Sequence, residues 1–144
     1  MRDVKARLEG SFRTELTIGP HTIIADEPES AGGNDEGPTP YDLLGSALAT
    51  CTAMTLHFYA KREKMSLERV AVDVSSERIH AKDCGDCESE SGYVHRFDVK
   101  LRVSGNLSEE QRQKLLQIAQ RCPVYKTLSN EIRIVETLAE SWPK

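Results

Sequence analysis

The stretch TPYDLLGSALATCTAMTLHFYAKR, residues 39–62, decides how the rest of the chain is read. Thr39 is a good N-cap, Pro40 suits the first helical position, and Asp42 can answer the cap from N3. From Leu43 through Ala60 there is no formal charge, a run of 18 residues. That length is the short limit for a bilayer crossing, and Gly45, Ser46, Thr50, Thr52, Thr55 and His57 make the run too polar for one. The expectation is a central helix over 39–64, enclosed on nearly all sides by protein. Lys61, Arg62 and Lys64 end it with charges that complement the helix C-terminus.

Upstream, the chain reads as strands. Val4, Ala6 and Leu8 alternate with Lys5 and Arg7, and Phe12, Thr14, Leu16 and Ile18 repeat the period of two. Glu9-Gly10-Ser11 and Gly19-Pro20 are turns, so residues 1–25 form a three-stranded meander with His21–Ala25 as its third strand. Residues 26–38, DEPESAGGNDEGP, carry five acids and no base. Such a segment buries too little apolar surface to order itself as helix or strand, and is expected to be a mobile, solvated loop.

Downstream, Val70, Val72 and Val74 begin a strand to about His80. Phe97, Val99, Leu101 and Val103 mark a returning one. Together they make a long hairpin over 68–104. Ser108-Glu109-Glu110-Gln111 has the capping-box form, and Leu115, Ile118, Ala119 and Cys122 follow at helical spacing. Cys122-Pro123 breaks that helix, PVYKTLSN opens a short one, and Ile132–Val135 reads as a last strand closing residues 108–144. The order βββ-α-ββ-αα-β predicts an α+β fold, a single domain over 1–144 with antiparallel sheet and helices gathered on one face.

A chain of 144 residues can fold without disulfides or metal. Charged residues at 29% and apolar residues at 38% fit a globular protein rather than a disordered one. The net charge of −4 argues against sequence-independent nucleic-acid binding. No basic-then-apolar signal opens the chain, so a cytoplasmic location and no membrane association are expected. In that reducing setting, cysteines serve packing, metal binding or redox chemistry.

The four cysteines form two unlike pairs. Cys51 lies mid-helix on an apolar face, where it either fills space or works as a thiol. Cys122, pushed out of the α region by Pro123, falls at the start of the next helix. Backbone N–H groups there stabilise a thiolate, with Arg121 and Lys126 adding charge, although Cys122 also continues the Leu115/Ile118/Ala119 core stripe.

GPTPYDLLGSALATCTAMTLHFYAKRE, followed some seventy residues after its cysteine by RCPVYKTL, resembles the OsmC/Ohr family of thiol peroxidases, in the branch with GPxPYDLL. The resemblance implies an OsmC-like fold, antiparallel sheets wrapped around long central helices in an intertwined homodimer, with active sites at the subunit interface. It implies Cys51 as the peroxidatic cysteine and Cys122 as the resolving one. Organic hydroperoxides, and hydrogen peroxide, would be reduced through a Cys51 sulfenate and a Cys51–Cys122 disulfide, with a thiol reductant and no required cofactor. In the family an arginine held by a glutamate offsets the burial of the thiolate. This chain has Tyr41 at the glutamate's position, and Arg13 is the nearest candidate for the arginine.

The second pair stands apart. His80, Cys84, Cys87 and His95 offer a two-cysteine, two-histidine set around the hairpin tip, suited to zinc. Its acidic neighbours favour a cation and disfavour a free thiolate. Two incidental thiols or a reversible disulfide are the plainer alternatives. A noncatalytic ligand-binding protein and a zinc-binding protein on the same fold are the rival functions. Among the other residues, His57 reads as a core or interface histidine and Trp142 as packing against the body or a partner.

Overall fold

The computed structural model describes residues 1–142. Strands β1 (Val4–Leu8), β2 (Thr14–Ile18) and β3 (His21–Ala25) pair antiparallel in that order. A loop leads into helix α1 (Pro40–Arg62). Strands β4 (Ser66–His80) and β5 (Tyr93–Asn106) form a long antiparallel hairpin, followed by α2 (Glu109–Ala119) and α3 (Pro123–Leu128).

The caps read from sequence are present. The Thr39 side chain accepts the Asp42 N–H, and the Asp42 carboxylate accepts the Thr39 N–H at 2.9 Å. Ser108 and Gln111 do the same for α2. Each box satisfies helix-end donors that would otherwise lack partners. Near the base of the hairpin the register shifts between Leu67 and Arg69. Gly105 lies opposite at a φ of 137°, where a side chain would collide with the Ser66 carbonyl.

α1 packs along β4 and against α2 and α3. Leu56, Leu115 and Ile118 form the buried centre, with Tyr59, Met65, Leu67, Val70, Leu101 and Val103 around them. Within this chain α1 is not enclosed on nearly all sides. Only Leu48, Thr52, Leu56 and Ala60 are buried, a single stripe at i, i+4 spacing, while Met54 and Phe58 stay about 70% exposed. The physical reason is that α1 is apolar all round, whereas one chain supplies neighbours for only one side.

Three further expectations need correction. First, the 26–38 segment is an ordered loop. Its order comes from hydrogen bonds: the Asp26 carboxylate, 2% exposed, accepts the backbone N–H groups of Glu27, Asn34 and Glu36 at 2.8–3.2 Å. The Asp26 N–H reaches the Pro38 carbonyl, and Gly37 passes so close to Ile24 that a side chain there would overlap its carbonyl. Second, Ile132–Val135 is not a strand among the described residues. A strand needs an edge to pair with, and here Ile132, Ile134 and Val135 are exposed with none beside them. Third, β1 is exposed along its whole length rather than half-buried. The meander pairs within itself and touches the body only sparsely.

Candidate active site

Two segments 71 residues apart build the site, one on α1 and one at the start of α3. Cys51 sits part-buried in the middle of α1, one position before the buried stripe residue Thr52. Cys122 is fully buried and is the N-cap of α3, as the Cys-Pro junction predicts. Both thiols are free, and they lie close enough for Cys122 to act directly on the ionisation of Cys51.

The first turn of α3 explains the arrangement. A helix start leaves N–H groups without intrahelical acceptors. Pro123 at N1 has none to offer, the Tyr125 N–H donates to the Cys122 sulfur at 3.4 Å, and the Val124 N–H donates to the Cys51 sulfur. Two sulfurs thus do the work an oxygen cap ordinarily does. Val124 was not legible as a site residue, since its side chain takes no part. The signal was positional: Pro123 at N1 leaves the next N–H free to point outward.

Burial pushes the Cys51 thiol above its ordinary value, and the Cys122 sulfur, acting as acceptor for the Cys51 proton, pushes it the same way. The Val124 N–H and the Thr55 side chain pull it down, by less. No cation is among these influences. Arg13 instead donates to Glu36 at 2.8 Å, both side chains nearly half exposed. Glu36, unmarked in the sequence, is therefore the carboxylate that holds Arg13. Arg13 also acts on Asp26. Burial works against ionisation of Asp26, but hydrogen bonds from Glu36, Glu27 and Asn34, with the Arg13 charge, hold its carboxyl below the usual range.

The hairpin tip does not assemble four ligands. Cys84 and Cys87 are joined in a disulfide, with the Asp86 carboxylate beside them. The His80 Nδ1 accepts the Lys82 N–H at 3.3 Å. His95 stacks on Tyr41 with ring centroids 4.6 Å apart and leans on Phe97, its Nε2 without a hydrogen-bond partner. Spacing in the sequence placed the histidines near the tip; the helix–hairpin contact turned one of them away. His57 is exposed within the chain.

A family model described as OsmC-like protein matches residues 32–137, which take in both cysteine segments of the site. The chain belongs to the OsmC/Ohr family. Among solved structures, it is similar to an OsmC-like protein from Mycoplasma pneumoniae, at 19% identity and a TM-score of 0.72 over 90% of this chain and 87% of that one. It is also similar to an organic hydroperoxide resistance protein from Elizabethkingia anophelis, at 18% identity and a TM-score of 0.64 over 88% and 87%. The organic hydroperoxide resistance protein OhrB of Bacillus subtilis gives 21% and 0.58 over 88% of each chain. At these identities the likeness is one of fold. A comparison with curated protein sequences found no match.

Proposed function

We propose that this OsmC/Ohr-family chain acts in peroxide-stress defence as a thiol-dependent peroxidase of organic hydroperoxides, with hydrogen peroxide as a further substrate. The Cys51 thiolate attacks the O–O bond, an alcohol leaves, and the sulfur becomes a sulfenic acid. The Cys122 thiol condenses with it, water is lost, and a Cys51–Cys122 disulfide forms. An external thiol reductant then restores both thiols. The observation that carries this reading is the convergence of two free thiols from distant segments, close enough for Cys122 to act on the ionisation of Cys51 and one of them wholly buried. Structural neighbours described as organic hydroperoxide resistance proteins support it.

The chemistry asks for a thiolate, and burial disfavours one. Arg13, held by Glu36 on a meander that touches its own body only sparsely, is the candidate cation, delivered between two copies of the chain. The homodimer reading has the same support. A second copy would cover Met54 and Phe58 on α1 and offer an edge to Ile132–Val135. No metal or organic cofactor is required, and the setting is cytoplasmic.

The test is consumption of cumene hydroperoxide with a dithiol reductant. Wild type should turn over, Cys51→Ser should fall to background, and peptide mapping after one equivalent of peroxide should find Cys51 linked to Cys122. Turnover that survives Cys51→Ser would overturn the proposal.

A further inference from the structure

The Cys84–Cys87 disulfide has no part in the site above, and the tip that carries it has no structural need of it. A disulfide constrains the unfolded chain more the longer the loop it closes, and this one joins residues three apart. The tip is already closed by backbone hydrogen bonds, from the Ala81 N–H to the Gly92 carbonyl at 2.8 Å and from the Cys84 N–H to the Ala81 carbonyl at 3.2 Å. Behind them the strands pair from His80 and Tyr93 onward. A bond that holds so little is free to open and close.

Its surroundings allow a reagent in. Both cysteines are part-exposed, Gly85 between them has open space around it, and the flanking residues 88–92 are all exposed. Between Ala81 and Gly92 stand four acids, Asp83, Asp86, Glu88 and Glu90, against one base, Lys82. The Asp86 carboxylate oxygen lies 3.6 Å from the Cys84 sulfur. Any thiolate that approaches meets this field, and one that carries further negative charge is repelled more strongly.

We propose that Cys84 and Cys87 form a second thiol–disulfide exchange centre, reduced by a dithiol on a neutral or basic carrier and selective against anionic thiols. The incoming thiolate bonds to one sulfur and expels the other as a thiolate, which takes up a proton. The carrier's second thiol, having lost its proton, attacks the mixed disulfide, releases the remaining cysteine and closes the carrier's own disulfide. Two electrons and two protons pass to the tip. Nothing in this exchange depends on the role of Cys51.

The experiment uses the full-length oxidised wild-type protein. It is exposed to dithiothreitol, which is neutral, or to glutathione, which is anionic, quenched by alkylation over time, and read on the tryptic peptide 83–96, which holds both cysteines. Expected are complete reduction under native conditions, reoxidation by added oxidised dithiothreitol once the reductant is removed, and an unchanged circular-dichroism spectrum. Glutathione should act slowly at low salt and several-fold faster at high salt, as screening relieves the repulsion, with dithiothreitol little affected. Asp86→Asn should speed glutathione alone. Reduction only in denaturant would make the bond a staple and overturn the proposal. So would equal, salt-independent rates for the two reagents, or a reduced native protein that takes up added zinc and no longer reoxidises.

Discussion

The two cysteine pairs of this protein are opposites. Cys51 and Cys122 are 71 residues apart and unbonded, the first part-buried and the second fully buried, and only the packing of α3 on α1 makes them neighbours. Cys84 and Cys87 are neighbours by sequence, lie at an exposed turn and are already joined. In the first pair the environment controls the sulfur: burial withholds charge from Cys51, backbone N–H groups return some of it, and solvent has no access to Cys122. In the second, solvent and acidic side chains are the environment. Partial burial among apolar neighbours therefore suits Cys51 to a reagent chosen by shape and polarity, and an acidic turn suits the second pair to a partner chosen by charge.

The contrast breaks first on activity. Cys51→Ser should lower hydroperoxide consumption by about a thousandfold or more, whereas Cys84→Ser with Cys87→Ser should leave the initial rate within about twofold when dithiothreitol is the reductant. A peroxidase assay on the three proteins checks both. The next effect is on the scaffold that brings the first pair together. Leu56→Ala, at the buried centre one turn beyond Thr52, should cost about 2–5 kcal/mol in urea unfolding. It should also slow formation of the Cys51–Cys122 link, and leave reduction of the tip unchanged.

The first pair also responds to pH. Cys51 is raised above its ordinary value, so its alkylation by iodoacetamide should climb about tenfold per pH unit and keep climbing beyond about pH 8.5, where a free thiol levels off. In the unfolded chain Cys51 ionises first, so its contribution is intact below about pH 8.5 and erodes as pH rises through the higher folded-state value. Denaturant titrations at neutral and alkaline pH should show that loss, and Cys51→Ser should flatten it. The smallest effect is on the tip: Cys84→Ser with Cys87→Ser should lower stability by no more than about 2 kcal/mol, read from the same urea curves.

Sequence carried the body of the fold because its signals were local. Capping boxes at Thr39 and Ser108, the period of two around Val72 and Leu101, and the Cys122-Pro123 break each act within a few residues. What misled was set by partners distant in sequence. Polarity pointed to a mobile 26–38 segment, whereas one carboxylate, Asp26, organises it through three backbone N–H groups. Ile132–Val135 read as a strand from its own residues, but a short apolar run cannot supply the edge it would pair with. At the site, the two thiols were legible as residue types, while the Val124 N–H and the Glu36 partner of Arg13 were not. A backbone donor leaves no residue-type signature, and an exposed glutamate among other acids has none to leave.

Placing Cys122 on α3 also has a consequence for biosynthesis. Emerging from a ribosome, Cys84 and Cys87 appear almost together and can pair as soon as they are out. Cys51 must wait until a further 71 residues have been made before its companion exists. A Cys51 sulfur oxidised during translation would find no Cys122 with which to close a recoverable bond, and would be open to further oxidation until that partner emerged.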